Sequence, residues 1–537
     1  MFSLAILIGI YSYIIFALGL SGLLFKNYIV SITVLYLLFC SYWYRKPLTS
    51  FVIIFFDSIK RARNNVLAPI FIGIFFLQAF INLVGALGPE LGFDALWYHL
   101  TIPKLYLENH SVFYIPGGLL YYSLMPKLTE MLYVGALAIN GEILAKLIHF
   151  SFGLLASIAL YKLSRKFFTP KISLISVVVF YSNLVVAWQS TTAYVDLART
   201  FFEIMALWGF FNFWKKREKK WLIESAVMLG LAISTKLLAI GSVLIMSILI
   251  VTYFIYHRKS VKNLFIGLFV YWVICLLIPL PWFVYSYIHS GNPVYPFFTD
   301  IYNVGFNIAL LNPIKIVVDI WGMFIELSDP ISPVYIIFLP LVLVLFKKLK
   351  PEIKLIAIYS FLAIIVWYIT PRTGGGRFIL PYLPVFSILV AAVIEKTKDK
   401  RFGLVLISVI LIVSFVTIFY RGIANSRYIP AIIGLQSKSD FLENRLNFAF
   451  GDFYDIDGYF KNNIRLNEKV LLYGFHNLYY INFPFLDSSW VKKGDMFNYI
   501  ATQNTDFPKR FKDWELIYQN PKTHVKLYSK GGIKWAY

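Results

Sequence analysis

The sequence predicts an all-α polytopic membrane protein of about 13 transmembrane helices, N-terminus in and C-terminus out, ending in a small extracytoplasmic α/β domain. Three observations predict it. Of the 537 residues 59% are hydrophobic and 15% charged, whereas soluble domains carry about 25% charged residues. Apolar runs of near-spanning length recur along the first four-fifths of the chain. The basic clusters fall in alternate loops, as cytoplasmic loops do.

The first run, "MFSLAILIGIYSYIIFALGLSGLLF", lacks a charged leading segment and a small-residue cleavage site, so it reads as a retained span. Runs lie near 3–25, 28–44, 67–87, 145–163, 171–189, 194–214, 221–236, 238–256, 263–288, 332–346, 353–370, 377–395 and 402–420. With these spans the clusters at 45–63, "KLSRKFFTPK", "KKREKK", "HRKSVK", "KKLKPEIK" and "EKTKDKR" share the N-terminal side and hold 25 of the 50 Lys and Arg residues. The formal charge of +22 is therefore topological and does not describe a nucleic-acid groove. Residues 128–140, "LTEMLYVGALAIN", are apolar but short, and counting them as a span would invert every later loop. They read as an interfacial or re-entrant helix within one outer loop, residues 88 to about 143. Cys40 and Cys275 sit in apolar runs and read as small core residues.

After residue 421 no spanning run remains. "KVLLYG", "DWELIYQ" and "HVKLYSK" have strand length, and "NPKT" supplies a turn between the last two. The chain thus divides into extra N-terminal spans with a basic loop (1–66), a transmembrane module (67–420) and an outer α/β domain (421–537). No nucleophile–base pair stands out in that domain.

Candidate chemistry gathers at the outer ends of spans. Asp94, in "GFDALWYHLTIPKLY", is a general base or metal ligand, or else a helix N-cap before "ALWYHL". On an α-helix, five positions turn about 500°, which leaves His99 roughly 140° from the Asp94 face. Tyr98, four positions on, shares that face. Pro103 predicts a break near Thr101 and a second short helix carrying Lys104, Tyr106 and Glu108. His99 is either a satisfied interfacial histidine or a substrate-positioning group. Asp196, in "TTAYVDLARTFFE", is the second outer acid; it pairs with Asp94 across a cavity, holds a divalent ion with it, or simply pairs with Arg199. Lys236 is costly at its position unless it snorkels or lines a cavity. Arg372 and Arg377 bracket "TGGG", where guanidinium forks and open backbone suit a phosphate, or form an ordinary flexible turn. Acids and a few bases on the base-poor face suit a lipid phosphate carrying a sugar. An outward site argues against a soluble nucleotide-sugar donor.

Several segments together resemble the GT-C glycosyltransferases, on the branch of the dolichyl-phosphate-mannose protein mannosyltransferases and the lipid A aminoarabinose transferase. They are "GFDALWYHLTIPKLYLENHSVF", "GEILAKLIHFSFGLLASIALYKLSRKFF", "AYVDLARTFFEIMALWGFF", "GLAISTKL", "PWFVYSYIHSGNPVYPFF" and "GGRFILPYLP", in the family's order over roughly 67–420. The resemblance implies an inverting transfer from a polyprenyl- or dolichyl-phosphate sugar to a glycan, lipid or protein acceptor on the outer face of the cell membrane. It implies Asp94 as general base, Asp196 as the second outer-loop acid, and Lys236 and Arg377 at places that hold the lipid phosphate; Tyr98, His99, Lys104 and Arg372 are further substrate-binding candidates. No cofactor is required by the reading beyond an optional divalent ion on Asp94 and Asp196. No second acid adjoins Asp94, and two spans precede residue 45, both departures from the family pattern. A transporter or flippase of a lipid-linked glycan is the alternative; it calls for ionisable residues at the bilayer midplane, whereas here nearly all stand at span ends. A non-catalytic envelope assembly protein is a third reading.

Overall fold

The computed structural model describes residues 1–43, 67–301, 312–325, 330–370, 375–531 and 533–537. Helices dominate to residue 445. Six described helices are long and apolar enough to cross a membrane: Phe2–Leu20, Leu67–Leu87, Glu142–Ser164, Leu237–Tyr256, Pro351–Ile369 and Lys400–Ser426. A seventh span results if the bent pair Val261–Leu277 and Leu280–Ser290 is counted as one.

Of the other predicted runs, 28–44 is helical as far as residue 43, beyond which it lies outside the described residues, and the rest are helical but shorter or more polar. The run 171–189 divides into Pro170–Tyr181 and Leu184–Gln189. The run 263–288 bends by 60°, because Pro279 and Pro281 at the break supply no N–H and crowd the preceding turn. Asp196–Lys216 carries charges at both ends yet is enclosed by protein almost throughout. It is the central helix, flanked by Glu142–Ser164 and Lys219–Thr235. Asp399 caps Lys400–Ser426, accepting from Phe402 N at 2.7 Å. Leu128–Asn140 has 13 residues, about 20 Å at 1.5 Å each, too short for a hydrocarbon core of about 30 Å. It is buried between Phe2–Leu20, Thr101–Glu108 and Glu142–Ser164.

The long helix Lys400–Ser426 runs on past residue 421, and the C-terminal region folds after it. Its five-stranded sheet has the order β2–β1–β4–β6–β5, from β1 (Val470–Tyr473), β2 (Phe485–Asp487), β4 (Tyr499–Gln503), β5 (Glu515–Asn520) and β6 (Val525–Ser529). A separate ribbon pairs β3 (Met496–Phe497) with β7 (Trp535–Ala536). Strand β1 runs parallel to β2 and β4, while β6 is antiparallel to β4 and β5. The β5–β6 hairpin turns where "NPKT" predicts it, because Asn520 Oδ1 accepts the N–H groups of Lys522 and Thr523 at 3.0 and 3.1 Å.

This region docks on the loop between residues 88 and 143. Lys438 pairs with Glu142, the Tyr480 hydroxyl donates to Glu90 O at 2.9 Å, and Lys104 Nζ donates to Tyr479 O at 2.9 Å and to Ile481 O.

Candidate active site

Asp94 immediately precedes a single π-helical turn, Ala95–His99, closed by Leu100 N–H on Ala95 O at 2.9 Å. Asp94 occupies the capping position without making a side-chain cap bond, so its carboxylate is free to face other elements. Its Oδ2 accepts from Arg377 Nη1 at 2.5 Å and from the Tyr98 hydroxyl at 2.9 Å. Its own N–H donates to the Tyr194 hydroxyl at 3.1 Å.

Asp196 begins the central helix and is 1% exposed. Its Oδ2 accepts from Arg377 Nε at 2.9 Å and its Oδ1 from Lys236 Nζ at 2.6 Å. Lys236 stands in extended backbone (φ −152°, ψ 119°) after Lys219–Thr235 ends, which turns its side chain inward to Asp196 and not outward to snorkel. Arg377 follows Gly375 and Gly376, and its guanidinium lies 4.3 Å from the Tyr194 ring centroid. The result is a row of alternating charges, Asp94–Arg377–Asp196–Lys236, drawn from three distant parts of the sequence.

The row is balanced: two carboxylates, two cations. Burial pushes the Asp94 carboxyl up, but the adjacent Arg377, through its charge and with the hydrogen bonds from Arg377 and Tyr98, overcomes it and holds the group below its usual range. Asp94 is therefore an anion at neutral pH, able to accept a proton once its partners yield.

Two further groups fix the frame. Glu90, 1% exposed, accepts from Leu91 N at 2.9 Å, Gly92 N at 2.7 Å and Ala193 N at 2.6 Å. It thereby ties the Asp94 strand of chain to the segment leading into Asp196. His149 links Thr192 O, 2.8 Å from Nδ1, to Leu197 N–H, 3.0 Å from Nε2. Since a carbonyl can only accept, Nδ1 carries the proton and Nε2 caps the first turn of the central helix.

Of the sequence candidates, Asp94, Tyr98, Asp196, Lys236 and Arg377 come together. Lys104 does not: besides its carbonyl contacts it lies 3.7 Å from Glu108. Arg372 lies outside the described residues. The short helix Thr101–Glu108 forms after the break. The α-helical arithmetic separating Asp94 from His99 does not apply, because the wider i→i+5 winding brings positions five apart toward one side. His99 nevertheless turns to Glu130, its Nδ1 2.9 Å from Oε1, with both side chains buried. Burial lowers the His99 pKa, only partly opposed by Glu130, so the imidazole stays neutral. Arg199 pairs with Glu203 at 2.6 Å, not with Asp196.

The carboxylates do not fit a divalent ion. Both are already engaged by Arg377, Asp196 by Lys236 as well, and among the described residues no group of three His, Cys, Asp or Glu side chains converges. Sequence reasoning missed Glu90, Tyr194, Glu130 and His149. Glu90 had a signal, an acid four residues before Asp94 at a span end; the other three are defined by partners far away in the chain.

Residues 132–285 match the family model of dolichyl-phosphate-mannose-protein mannosyltransferase, a stretch that holds Asp196 and Lys236. No curated protein sequence matches the chain. The fold is similar to that of ArnT from Cupriavidus metallidurans in the apo state: TM-score 0.56, 12% identity, covering 87% of this chain and 98% of that one. The same ArnT bound to undecaprenyl phosphate gives a TM-score of 0.53 at 11% identity, with equal coverage. The S. cerevisiae Pmt1–Pmt2 complex bound to its sugar donor overlaps in part: TM-score 0.31, 20% identity, covering 41% of this chain and 33% of that one.

Proposed function

We propose that this chain, a membrane glycosyltransferase of the GT-C type on the protein mannosyltransferase and ArnT branch, moves a sugar from a polyprenyl-phosphate donor to an acceptor hydroxyl, with Asp94 as general base. The observation that carries the reading is the Asp94–Arg377–Asp196–Lys236 row, with contacts of 2.5, 2.9 and 2.6 Å. Arg377 and Lys236 supply a guanidinium fork and an ammonium beside one another, the donors a phosphate needs. The ArnT relative is known with undecaprenyl phosphate bound, which supports the same lipid class here.

In the reaction, Asp94 takes the proton of the acceptor hydroxyl as its oxygen attacks the anomeric carbon. The bond from that carbon to the phosphate oxygen breaks, and the electron pair leaves with the polyprenyl phosphate. Arg377 and Lys236 stabilise the charge that develops on the leaving phosphate. Attack from the face opposite the phosphate inverts the anomeric centre. Asp196 holds both cations and leaves Asp94 as the carboxylate near solvent, 18% of its side chain exposed against 1% for Asp196.

The site faces the extracytoplasmic side, an orientation supported by the 25 basic residues gathered in the alternate loops. Residues 67–420 form the catalytic module and 421–537 an outer domain. Replacing Asp94 with Asn tests the reading: transfer should fall by about 10²–10⁴, the range of general-base catalysis, while undecaprenyl phosphate still binds. Transfer at the parent rate in that variant rules Asp94 out as the base.

A further inference from the structure

Resting on that reading, we infer that the C-terminal domain completes the acceptor subsite: His476, stacked on Phe93 and packed against Trp97 beside Asp94, forms a platform for the flat C–H face of a neutral pyranose, so the acceptor is a carbohydrate.

The platform is built from two parts of the chain. Phe93, next to the base, is 38% exposed, and its ring stacks on His476 with centroids 4.8 Å apart at 25°. Trp97 lies 4.3 Å from the same imidazole, with its indole N–H fixed on Leu119 O at 2.9 Å. The rings continue toward the base: Trp97 meets Tyr122 edge-on at 5.1 Å, and Tyr122 stacks on Tyr98, the Asp94 partner, at 3.7 Å. Tyr121 adds its hydroxyl, 2.7 Å from that of Tyr122. Aromatic faces bordered by hydroxyls present a ligand with one apolar face and a polar edge; a pyranose has both. Arg377, the cation beside Asp94, is already held by two carboxylates.

His476 is held there by a dedicated chain of contacts. Asn477 Nδ2 donates to buried Asp452 Oδ1 at 2.5 Å, which turns the Asn477 oxygen toward His476 Nδ1 at 3.0 Å. Asn477 thus engages Nδ1, and Nε2 is left to meet a ligand hydroxyl. Gly451 makes the approach feasible: at φ +87°, a side chain there would be strained and its Cβ would lie 2.7 Å from His476 Cβ. The imidazole, the glycine beneath it and the buried Asp452–Asn477 pair act as one support for a half-buried ring, more than is needed to cover a loop.

The test uses the full chain in lipid nanodiscs, with saturation-transfer NMR against neutral methyl hexopyranosides and linear trihexosides, a Ser/Thr-containing decapeptide, and separately undecaprenyl phosphate. Saturation is expected on sugar C–H protons and not on the peptide. His476→Ala should weaken it about fivefold to tenfold, the scale of one aromatic contact, and Phe93→Leu, at an exposed position, should do the same without disturbing the fold. Both variants should keep undecaprenyl phosphate binding. Peptide binding without sugar binding, no sugar signal from the parent protein, or a sugar signal unchanged in both variants overturns the inference. Failure of undecaprenyl phosphate to bind the parent protein overturns the donor reading instead, so the two failures are separable.

Discussion

At the scale of the residue, Arg377 decides the state of the site. With Asp94 held below its ordinary range, the carboxylate is ionised through neutrality, and kcat/KM should fall only as pH drops below about 4, the unperturbed aspartate value. The sign for stability is the same. The ion pair contributes fully above the unfolded pKa and is lost as pH falls through the lower folded one. Removing the guanidinium in Arg377→Ala leaves two adjoining carboxylates with one ammonium. The acid limb should then move to higher pH, read in a pH profile of residual activity, and thermal unfolding should report a loss of about 3–5 kcal/mol. All four charges were legible as ionisable residues at span ends. Their pairing was not, since Asp94 and Arg377 are 283 positions apart and each also had a bland reading as a cap or a turn.

At the scale of the element, the Glu90 carboxylate connects two loops, accepting from Leu91 and Gly92 N–H in its own segment and from Ala193 N–H in the other. Glu90→Gln keeps the volume but aims an amide N–H₂ at one of those donors. It should cost about 1–3 kcal/mol, the cost of an unsatisfied buried group, and lower transfer by misplacing Asp94 relative to Asp196; melting curves and turnover on the same preparation check both effects. Element type was largely legible from hydropathy, but 263–288 was read as one span, and its 60° bend falls at Pro279 and Pro281. The π-helical turn had no such signal. Its side chains "ALWYH" suit an α-helix equally well, and the extra width is imposed by packing.

At the scale of the whole molecule, orientation is the open quantity that a single label measures. In a chain with Cys40 and Cys275 changed to Ser, Leu466→Cys, at a position 89% exposed on the C-terminal domain, should react with a membrane-impermeant thiol reagent applied to intact cells. Protection until the cells are lysed would reverse the assigned sidedness. Strands β1, β5 and β6 of that domain were readable from "KVLLYG", "DWELIYQ" and "HVKLYSK", because alternation and an Asn-led turn are local properties, while β2, β3, β4 and β7 were not read. Its docking on the loop 88–143 was not readable, because the contacts are carbonyls, ring faces and one ion pair whose partners lie hundreds of residues away.

That docking also sets a clock. Lys104 finds its Tyr479 carbonyl 375 positions later in the chain, an interval of about 20–75 s at ribosomal rates of roughly 5–20 residues per second. Throughout that interval the newly inserted loop has a buried-type lysine and a row of aromatic rings with nothing laid over them. A nascent protein released before its last hundred residues would hold the base but lack the partner surface, so premature termination should leave a membrane-inserted product that is silent in transfer.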